Sequence, residues 1–247
     1  MAVIALTSGI GTGSKHLAEL VGKRLGLALA YREISMGGKA TSGVMNKCPA
    51  EPSAPRWERG LAALHNEGNG VGLTELEDIY RLAQRGNVLI CGTSPLHFLA
   101  DIEHVIKVRV RTTMALRVRR IMAFMNTDIA QPALGKILAG DQRQAAMLDR
   151  LFQIADLEDP SLYDLVVDTG REPVESIASQ IVDRVTMAKF KPREEYILML
   201  EHRATHVSSS RSTLLNWETN ILTNSRQAPC TLNQPSFHIV KPNLNSC

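Results

Sequence analysis

The stretch that constrains the fold most strongly is VIALTSGIGTGSKHLAELVGKRLG, residues 3–26. Its apolar start, Val3–Thr7, has the length of a buried strand and is followed by glycines at alternate positions. Ser14–Leu25 then has the apolar spacing of an amphipathic helix. Glycines allow the positive φ angles that point backbone N–H groups inward, and a helix start adds free N–H groups and the positive end of its dipole. The stretch therefore predicts a phosphate-binding loop between a strand and a helix.

Two known phosphate-loop motifs fit this stretch incompletely. A dinucleotide fingerprint, Gly-x-Gly-x-x-Gly, would use Gly9 and Gly11, but Ser14 stands at its third glycine. A Walker-type loop, Gly-x-x-x-x-Gly-Lys-Ser/Thr, counted from Gly9, has Lys15 at its lysine. Ser14 then replaces the second glycine, and His16 replaces the hydroxyl residue that binds Mg²⁺. A glycine-rich turn that packs closely and binds no ligand is the third interpretation.

The composition suits a chain of 247 residues with a sizeable core, since 44% of its residues are hydrophobic. A formal net charge of +3 gives no reason to expect a nucleic-acid partner. No apolar run approaches the roughly 20 residues of a membrane helix, and the short N-terminal run lacks the basic leader of a signal peptide. The four cysteines have neither metal-binding nor redox spacing. We therefore expect no metal-ligand set, no membrane association and a cytoplasmic protein in a reducing compartment.

Further along the chain, strand-like and helix-like segments alternate. The predicted strands are Asn87–Cys91, His104–Val110 and Leu165–Val167. The predicted helices are Leu73–Gln84, Thr113–Met125 and Pro173–Ala188, together with Pro132–Ile154, which we expect to be broken near Gly135 and Gly140. This alternation predicts parallel β-α-β units with the phosphate loop at the carboxyl end of the first strand.

Two segments lack this periodicity. Residues 36–59 are rich in Gly and Pro, and we expect a loop there. After about residue 191, Glu194–His206 keeps a helical pattern, whereas Ser208–Cys247 is rich in Ser, Asn, Thr and Pro. We therefore predict one domain over residues 1–190 and a C-terminal extension over residues 191–247 that is poorly ordered or a fragment of a further module.

Over residues 3–188 the chain resembles the cytidylate kinase-like family of P-loop nucleoside monophosphate kinases. The order and spacing of several blocks carry the resemblance, more specifically than any one of them. These blocks are Thr7–Ala18, Leu25–Ile34, Arg85–Ser94, Val108–Val110, Arg117–Met122, Asp141–Arg143 with Arg150, and Asp159–Thr169.

The resemblance implies a parallel-sheet, three-layer α/β/α P-loop fold with a helical lid and an irregular C-terminal tail. It also implies phosphoryl transfer from ATP, with Mg²⁺, to a nucleoside monophosphate such as CMP or dCMP. Cofactor binding would fall to Gly9, Gly11, Thr12, Gly13, Ser14, Lys15 and His16. Catalysis would fall to Lys15, Arg117, Arg120, Arg143 and Arg150, because charge neutralisation is what such chemistry needs. Acceptor binding would fall to Arg32, Asp141 and Asp164.

Several positions depart from the family pattern. Ser14 replaces the loop lysine, so that Lys15 falls one place late. Tyr31 replaces an Asp, Thr93-Ser94 replaces Arg-Gly, and Gln144 occupies a usual arginine position. Losing one preorganised charge donor can cost on the order of 10²–10³ in rate. A degenerate relative that binds nucleotide or a partner without transferring phosphate is therefore the alternative, with the segment 117–120 then a solvated basic helix face.

Overall fold

The computed structural model describes residues 2–35, 53–66 and 68–226. Residues 36–52 of the predicted loop and residues 227–247 of the predicted extension lie outside the described residues. The strands are β1 (Val3–Ser8), β2 (Ala28–Tyr31), β3 (Val88–Cys91), β4 (Val105–Arg111) and β5 (Leu165–Asp168). The helices are α1 (Ser14–Leu25), α2 (Arg56–Asn66), α3 (Gly70–Arg85), α4 (Thr93–Phe98), α5 (Met114–Met125), α6 (Ala130–Phe152), α7 (Val174–Thr186) and α8 (Glu194–Arg226).

The five strands form one parallel sheet in the order β2-β3-β1-β4-β5. β1 lies at its centre, with Leu6 beside Cys91 of β3 and Ser8 beside Val110 of β4. Central strands of a parallel sheet are covered on both faces, which explains the unbroken apolar run at the start of β1. The strand order reverses at β1, and open sheets of this kind bind ligands beyond the carboxyl ends of the strands at such a point.

Helices cover both faces of the sheet, which confirms the predicted three-layer architecture. On one face α1 and α7 pack through Leu17, Val21 and Ile181 against the sheet. On the other face α2, α3, α4, α6 and α8 enclose the larger core, which includes Tyr80 and Phe152. Alternate residues of β1 contribute to the two cores, because successive side chains of a strand point to opposite faces.

The predicted break in the region 132–154 is wrong, since α6 runs without interruption through both glycines. Gly140 has a packing reason to be there. A Cβ at this position would lie 2.4 Å from Cδ1 of Ile10 in the glycine-rich loop. Gly135 has no atom near its Cβ position, so its cost is the backbone entropy of about 1 kcal/mol that a helical glycine carries.

The helix after residue 193 extends further than the periodicity indicates. α8 continues through the polar segment 208–213, where hydroxyl groups bond to the carbonyl four residues earlier, as Ser209 Oγ does to Thr205 O at 3.1 Å. Its buried apolar residues are Tyr196, Leu200, Ala204 and Val207, which join the larger core. The domain boundary at residue 190 stays a prediction, although α8 packs against α3. Neither α8 nor any other helix in the described ranges combines the length and hydropathy of a membrane-spanning segment.

Candidate functional site

The glycine-rich loop leaves the carboxyl end of β1 and leads directly into α1. Gly11 and Gly13 have φ angles of 83° and 79°, a left-handed conformation that glycine adopts without strain. Thr12 closes the turn, because its N–H and its hydroxyl both donate to Gly9 O, at 3.4 and 2.9 Å. Ser8 Oγ donates to Ser14 Oγ at 2.7 Å and so joins the two ends of the loop. The predicted strand–loop–helix arrangement is present.

The loop presents unsatisfied backbone donors. Within the described parts of the chain, no acceptor faces the N–H groups of Gly11, Gly13, Ser14 and Lys15. Gly13 is the N-cap of the 12-residue helix α1 and supplies no side-chain cap. N–H groups of this kind, at the positive end of a helix dipole, form an anion-binding site. The loop therefore has the chemistry that a phosphate group requires.

The two polar side chains that follow the loop, Lys15 and His16, are exposed. Lys15 and His16 lie in the first turn of α1 and form no hydrogen bond or ion pair with the residues that the structure describes. An exposed lysine here is able to move toward an anion at the loop without breaking an existing contact. This is the placement that a phosphate-binding role of Lys15 needs.

Two arginines of α5 bind the carbonyl side of the loop. Arg117 Nε donates to Ile10 O at 2.6 Å. Arg120 Nη1 donates to Thr12 O at 2.7 Å and to Gly11 O at 3.3 Å. Both were predicted to be catalytic, and both contact the loop that would hold the phosphates. Their hydrogen bonds to the loop all go to backbone carbonyl groups.

Helix α6 lies directly against the loop and corresponds to the predicted lid. Asp141 accepts two hydrogen bonds from Arg117, at 2.8 and 2.6 Å. Gln144 Nε2 donates to Ser8 O at 2.9 Å and to Thr93 Oγ1 at 2.8 Å. The predicted acceptor-binding residue Asp141 is thus engaged with the loop arginine, and Gln144 connects β1, α4 and α6.

Four of the predicted residues do not meet at the loop in this way. Arg143 and Arg150 are exposed on α6, and Arg143 Nε donates to Ala139 O of its own helix at 3.2 Å. Arg32 is exposed after β2 and donates to Tyr31 O at 3.0 Å. Asp164 is separated from the loop. It precedes β5 and therefore lies toward the amino ends of the parallel strands, whereas the loop lies at their carboxyl ends.

The partners of Asp164 are two lysines. Its carboxylate accepts from the backbone N–H of Lys107 at 3.0 Å and from Lys189 Nζ at 2.9 Å. Burial lowers the pKa of Lys107, and the carboxylate of Asp164 opposes that shift. These contacts are those of a carboxylate that ties β4, β5 and the segment after α7 together.

A carboxylate that the sequence analysis did not single out occupies the start of α4. Glu33 accepts hydrogen bonds from the N–H groups of Thr93 and Ser94, at 2.7 and 2.8 Å. Ser94 Oγ in turn accepts from the N–H of Ile34 at 2.9 Å. Gly92 allows this close approach, because a Cβ there would lie 1.8 Å from Arg32 O. The sequence did contain a signal for this contact. Glu33 follows β2, and the Gly-Thr-Ser segment follows the neighbouring strand β3, so both lie at the carboxyl ends of adjacent strands.

Buried titratable groups nearby are held neutral. Burial, together with the neighbouring cations Arg56 and Arg109, lowers the pKa of His97 to about 3. Burial raises the pKa of the free thiol of Cys91 to about 12. Within the described residues no group of three or more His, Cys, Asp or Glu side chains is arranged to hold a metal ion.

Two surface cavities lie away from the loop. One of about 470 Å³ is on the outer side of α5, around Arg119 and Met122. Another of about 540 Å³ lies beside Lys107 and Asp164 toward the amino edge of the sheet. Neither is lined by a residue of the segment 9–16.

Comparison with known proteins adds a family and a fold. The family model described as cytidylate kinase-like family matches residues 3–171. An uncharacterized protein from Eubacterium ventriosum ATCC 27560 has a solved structure that is similar with a TM-score of 0.57 and 14% identity, over 74% of this chain and 97% of that chain. Shikimate kinase from Acinetobacter baumannii in complex with shikimate has a TM-score of 0.40 and 14% identity, over 77% of this chain and 96% of its own. No curated protein matches the chain. At 14% identity, the similarity to the Eubacterium ventriosum structure supports the fold and does not indicate a substrate.

Proposed function

Because the chain belongs to the cytidylate kinase-like family, we propose that it transfers a phosphoryl group from ATP to a nucleoside monophosphate. One observation carries this proposal beyond the family. The N–H groups of Gly11, Gly13 and Ser14 have no acceptor among the described residues and lie at the positive end of α1. Phosphate oxygens are the acceptors that such a set of donors binds best.

The residues of the loop offer donors for the phosphates of ATP and hydroxyl oxygens for its metal ion. The loop offers backbone donors for the phosphates, and Lys15 is exposed beside them. Mg²⁺ keeps several of its waters and is commonly bound through substrate phosphates with one or two protein oxygens. The hydroxyl groups of Ser8 and Ser14, bonded to each other in the loop, are the protein oxygens that would serve this role. When bound, the ion would neutralise charge on the phosphates.

Phosphoryl transfer requires the protein to position the two substrates and to neutralise the charge on their phosphates. An oxygen of the acceptor's phosphate forms a bond to the γ-phosphorus of ATP, the bond from that phosphorus to the β–γ bridging oxygen breaks, and ADP leaves. The loop N–H groups would hold the donor phosphates in line. Lys15, Arg143 and Arg150, all exposed, would supply positive charge to the transferred group, which arginine does with a planar pair of donors.

The acceptor is proposed to be CMP or dCMP, on the resemblance alone. Arg32 is exposed at the carboxyl end of β2 and is available to an acceptor. Asp164 plays no part in the proposal, because it lies toward the other edge of the sheet.

A specific observation favours a second candidate, a nucleotide-binding protein without phosphoryl transfer. Where the family pattern has Arg-Gly, this chain has Thr93 and Ser94, whose N–H groups are occupied by Glu33. Gln144, at a usual arginine position, donates to Thr93 and to Ser8 O. Cations that would face the acceptor are thus replaced by neutral groups bonded to one another.

One experiment separates the two candidates. The purified full chain is given Mg-ATP with each common nucleoside monophosphate, CMP and dCMP first, and diphosphate products are quantified while ATP binding is titrated in parallel. Gly11→Ala is expected to abolish both binding and turnover, because its Cβ would lie 2.8 Å from the backbone oxygen of Arg117 at a φ of 83°. Gly26→Ala is the matched control, with a φ of 64° and open space around its Cβ.

Turnover supports the kinase, whereas ATP binding with no diphosphate from any acceptor favours the second candidate. A wild-type chain that binds no nucleotide refutes both.

A further inference from the structure

Three consecutive carbonyl groups of the loop are bound by the two α5 arginines. Ile10 O accepts from Arg117, while Gly11 O and Thr12 O accept from Arg120. A guanidinium group has no acceptor and donates in fixed directions, so these contacts fix where the carbonyl oxygens point. The loop carbonyls are therefore held on the side of α5.

The peptide geometry turns this constraint into an orientation of the N–H groups. In a planar trans peptide the C=O and the N–H of the next residue point in opposite directions. Binding of Ile10 O by Arg117 thus directs the N–H of Gly11 away from α5, and binding of Thr12 O by Arg120 does the same for Gly13. These are two of the N–H groups without an acceptor among the described residues. Glycine at both positions would otherwise allow these peptides to turn over and present oxygen to an anion.

Each arginine is itself held by a further partner. Arg117 has a side chain only 11% exposed, and both of its terminal nitrogens bind the carboxylate of Asp141. Arg120 Nη2 donates to Thr169 O at 3.1 Å, and Thr169 Oγ1 donates to Thr12 O at 2.5 Å. Each guanidinium group thus commits several of its donors to the loop and to the residues that hold it there.

We infer that Arg117 and Arg120 are positioning residues that orient the peptide groups of the phosphate loop, and that Asp141 holds Arg117 in place. The inference rests on the proposed function in one respect, which is that the loop binds phosphate. It assigns α6 a definite part, since Asp141 and the Gly140–Ile10 contact connect this helix to the loop. Contact with the transferred phosphoryl group is left to the exposed cations.

Asp141→Asn distinguishes positioning from direct phosphate binding. If Arg117 bound phosphate directly, removing the carboxylate charge would release it and keep or raise anion affinity. If Arg117 positions the loop, the same change loosens its hold on Ile10 O and weakens affinity. Arg117→Lys is the second variant, because it keeps the charge but one ammonium group cannot reproduce the fork that binds Ile10 O and both oxygens of Asp141.

The assay uses the full chain, with tripolyphosphate and ATP as probes in binding titrations. Amide hydrogen exchange of residues 9–16 is measured without any nucleotide. We expect both variants to bind each probe about tenfold more weakly, as the loss of a hydrogen bond between charged groups implies, and to exchange faster at residues 10–14. Exchange in β1 and β4 is expected to stay unchanged, which a general loss of structure would not allow.

Matched controls lie on the same two helices. Asp149→Asn on α6 and Arg119→Lys on α5 make the same chemical changes at exposed positions. We expect them to change neither the affinity for the two probes nor the amide exchange of the loop. Unchanged or tighter binding in Asp141→Asn together with unchanged loop exchange would overturn the inference. Absence of tripolyphosphate and ATP binding in the wild type would instead refute the proposed function, and the exchange comparison would still decide whether Asp141 and Arg117 order the loop.

Discussion

Replacing Arg203 by alanine is expected to lower the free energy of unfolding by about 2–4 kcal/mol, although Arg203 lies beyond the predicted domain boundary. Its side chain is 3% exposed and its guanidinium binds both carboxylate oxygens of Asp101. It also lies 4.4 Å from the ring centre of Trp57. Removing one partner of a buried ion pair costs about 3–5 kcal/mol. Asp101 is 43% exposed, so water would compensate part of that cost, while the lost contact with Trp57 adds about 1 kcal/mol.

The measurement is urea unfolding followed by circular dichroism, with Arg193→Ala as the matched control. Arg193 pairs with Glu103 and stacks on Tyr196 at 4.7 Å, but its side chain is 51% exposed. An exposed pair of this kind contributes about 0–1 kcal/mol, so the control should change little. Equal losses in the two variants, or a loss under about 1 kcal/mol for Arg203→Ala, would refute the reasoning that α8 is part of the folded core.

Three further outcomes follow from the contacts and pKa shifts. Glu33→Gln should lower thermal stability by about 1–2 kcal/mol in a calorimetric scan, because an amide cannot accept from both N–H groups that start α4. The pKa of His97 falls from 6.5 to about 3 on folding, so the unfolded chain binds more protons between these values and stability falls as pH drops below 6.5. Relative to His97→Leu, the wild type should therefore lose about 2 kcal/mol more between pH 7 and pH 5, measured by urea unfolding. Cys91, whose pKa is raised to about 12 by burial, should be alkylated slowly by iodoacetamide at pH 8 until urea is added, as peptide mass spectrometry would show.

Local sequence determines the central part of the fold. An apolar run, alternate glycines and an amphipathic helix all lie within residues 3–26, and the structure has β1, the loop and α1 there. The end of α8 was not predictable by the same means. Its segment 208–213 has the composition of a loop, yet the hydroxyl groups bond to their own helix, and Val207 is buried in the core. Tertiary packing decides such a segment, and composition does not record it.

Part of the candidate site could also be predicted from the sequence, and part of it could not. The position of the loop follows from the order of strands, because residues after a parallel strand lie at its carboxyl end. Asp164 precedes β5, so the same rule places it at the amino edge, and the resemblance alone had suggested acceptor binding. The partners of Arg117 were beyond sequence reasoning, since Ile10 is 107 residues away and the spacing does not indicate in which direction a helical arginine points. Glu33 was missed for the same reason, because it lies 60 positions from Thr93 in the sequence.

The charges around the loop belong to two groups with different consequences for catalysis. Arg117 and Arg120 are bonded to the loop backbone, so their charge offsets carbonyl oxygens before any substrate is present. Lys15 and Arg143 are exposed, and neither side chain donates a hydrogen bond to the loop among the described residues. Preorganised donors contribute most to transition-state stabilisation when they require no rearrangement. In this chain the preorganised part of the site is the backbone itself, held by α5 and α6. In the proposed function, phosphate binding would therefore depend on Arg117 and Arg120, which the family resemblance assigns to catalysis, whereas the rate of transfer would depend on the exposed cations.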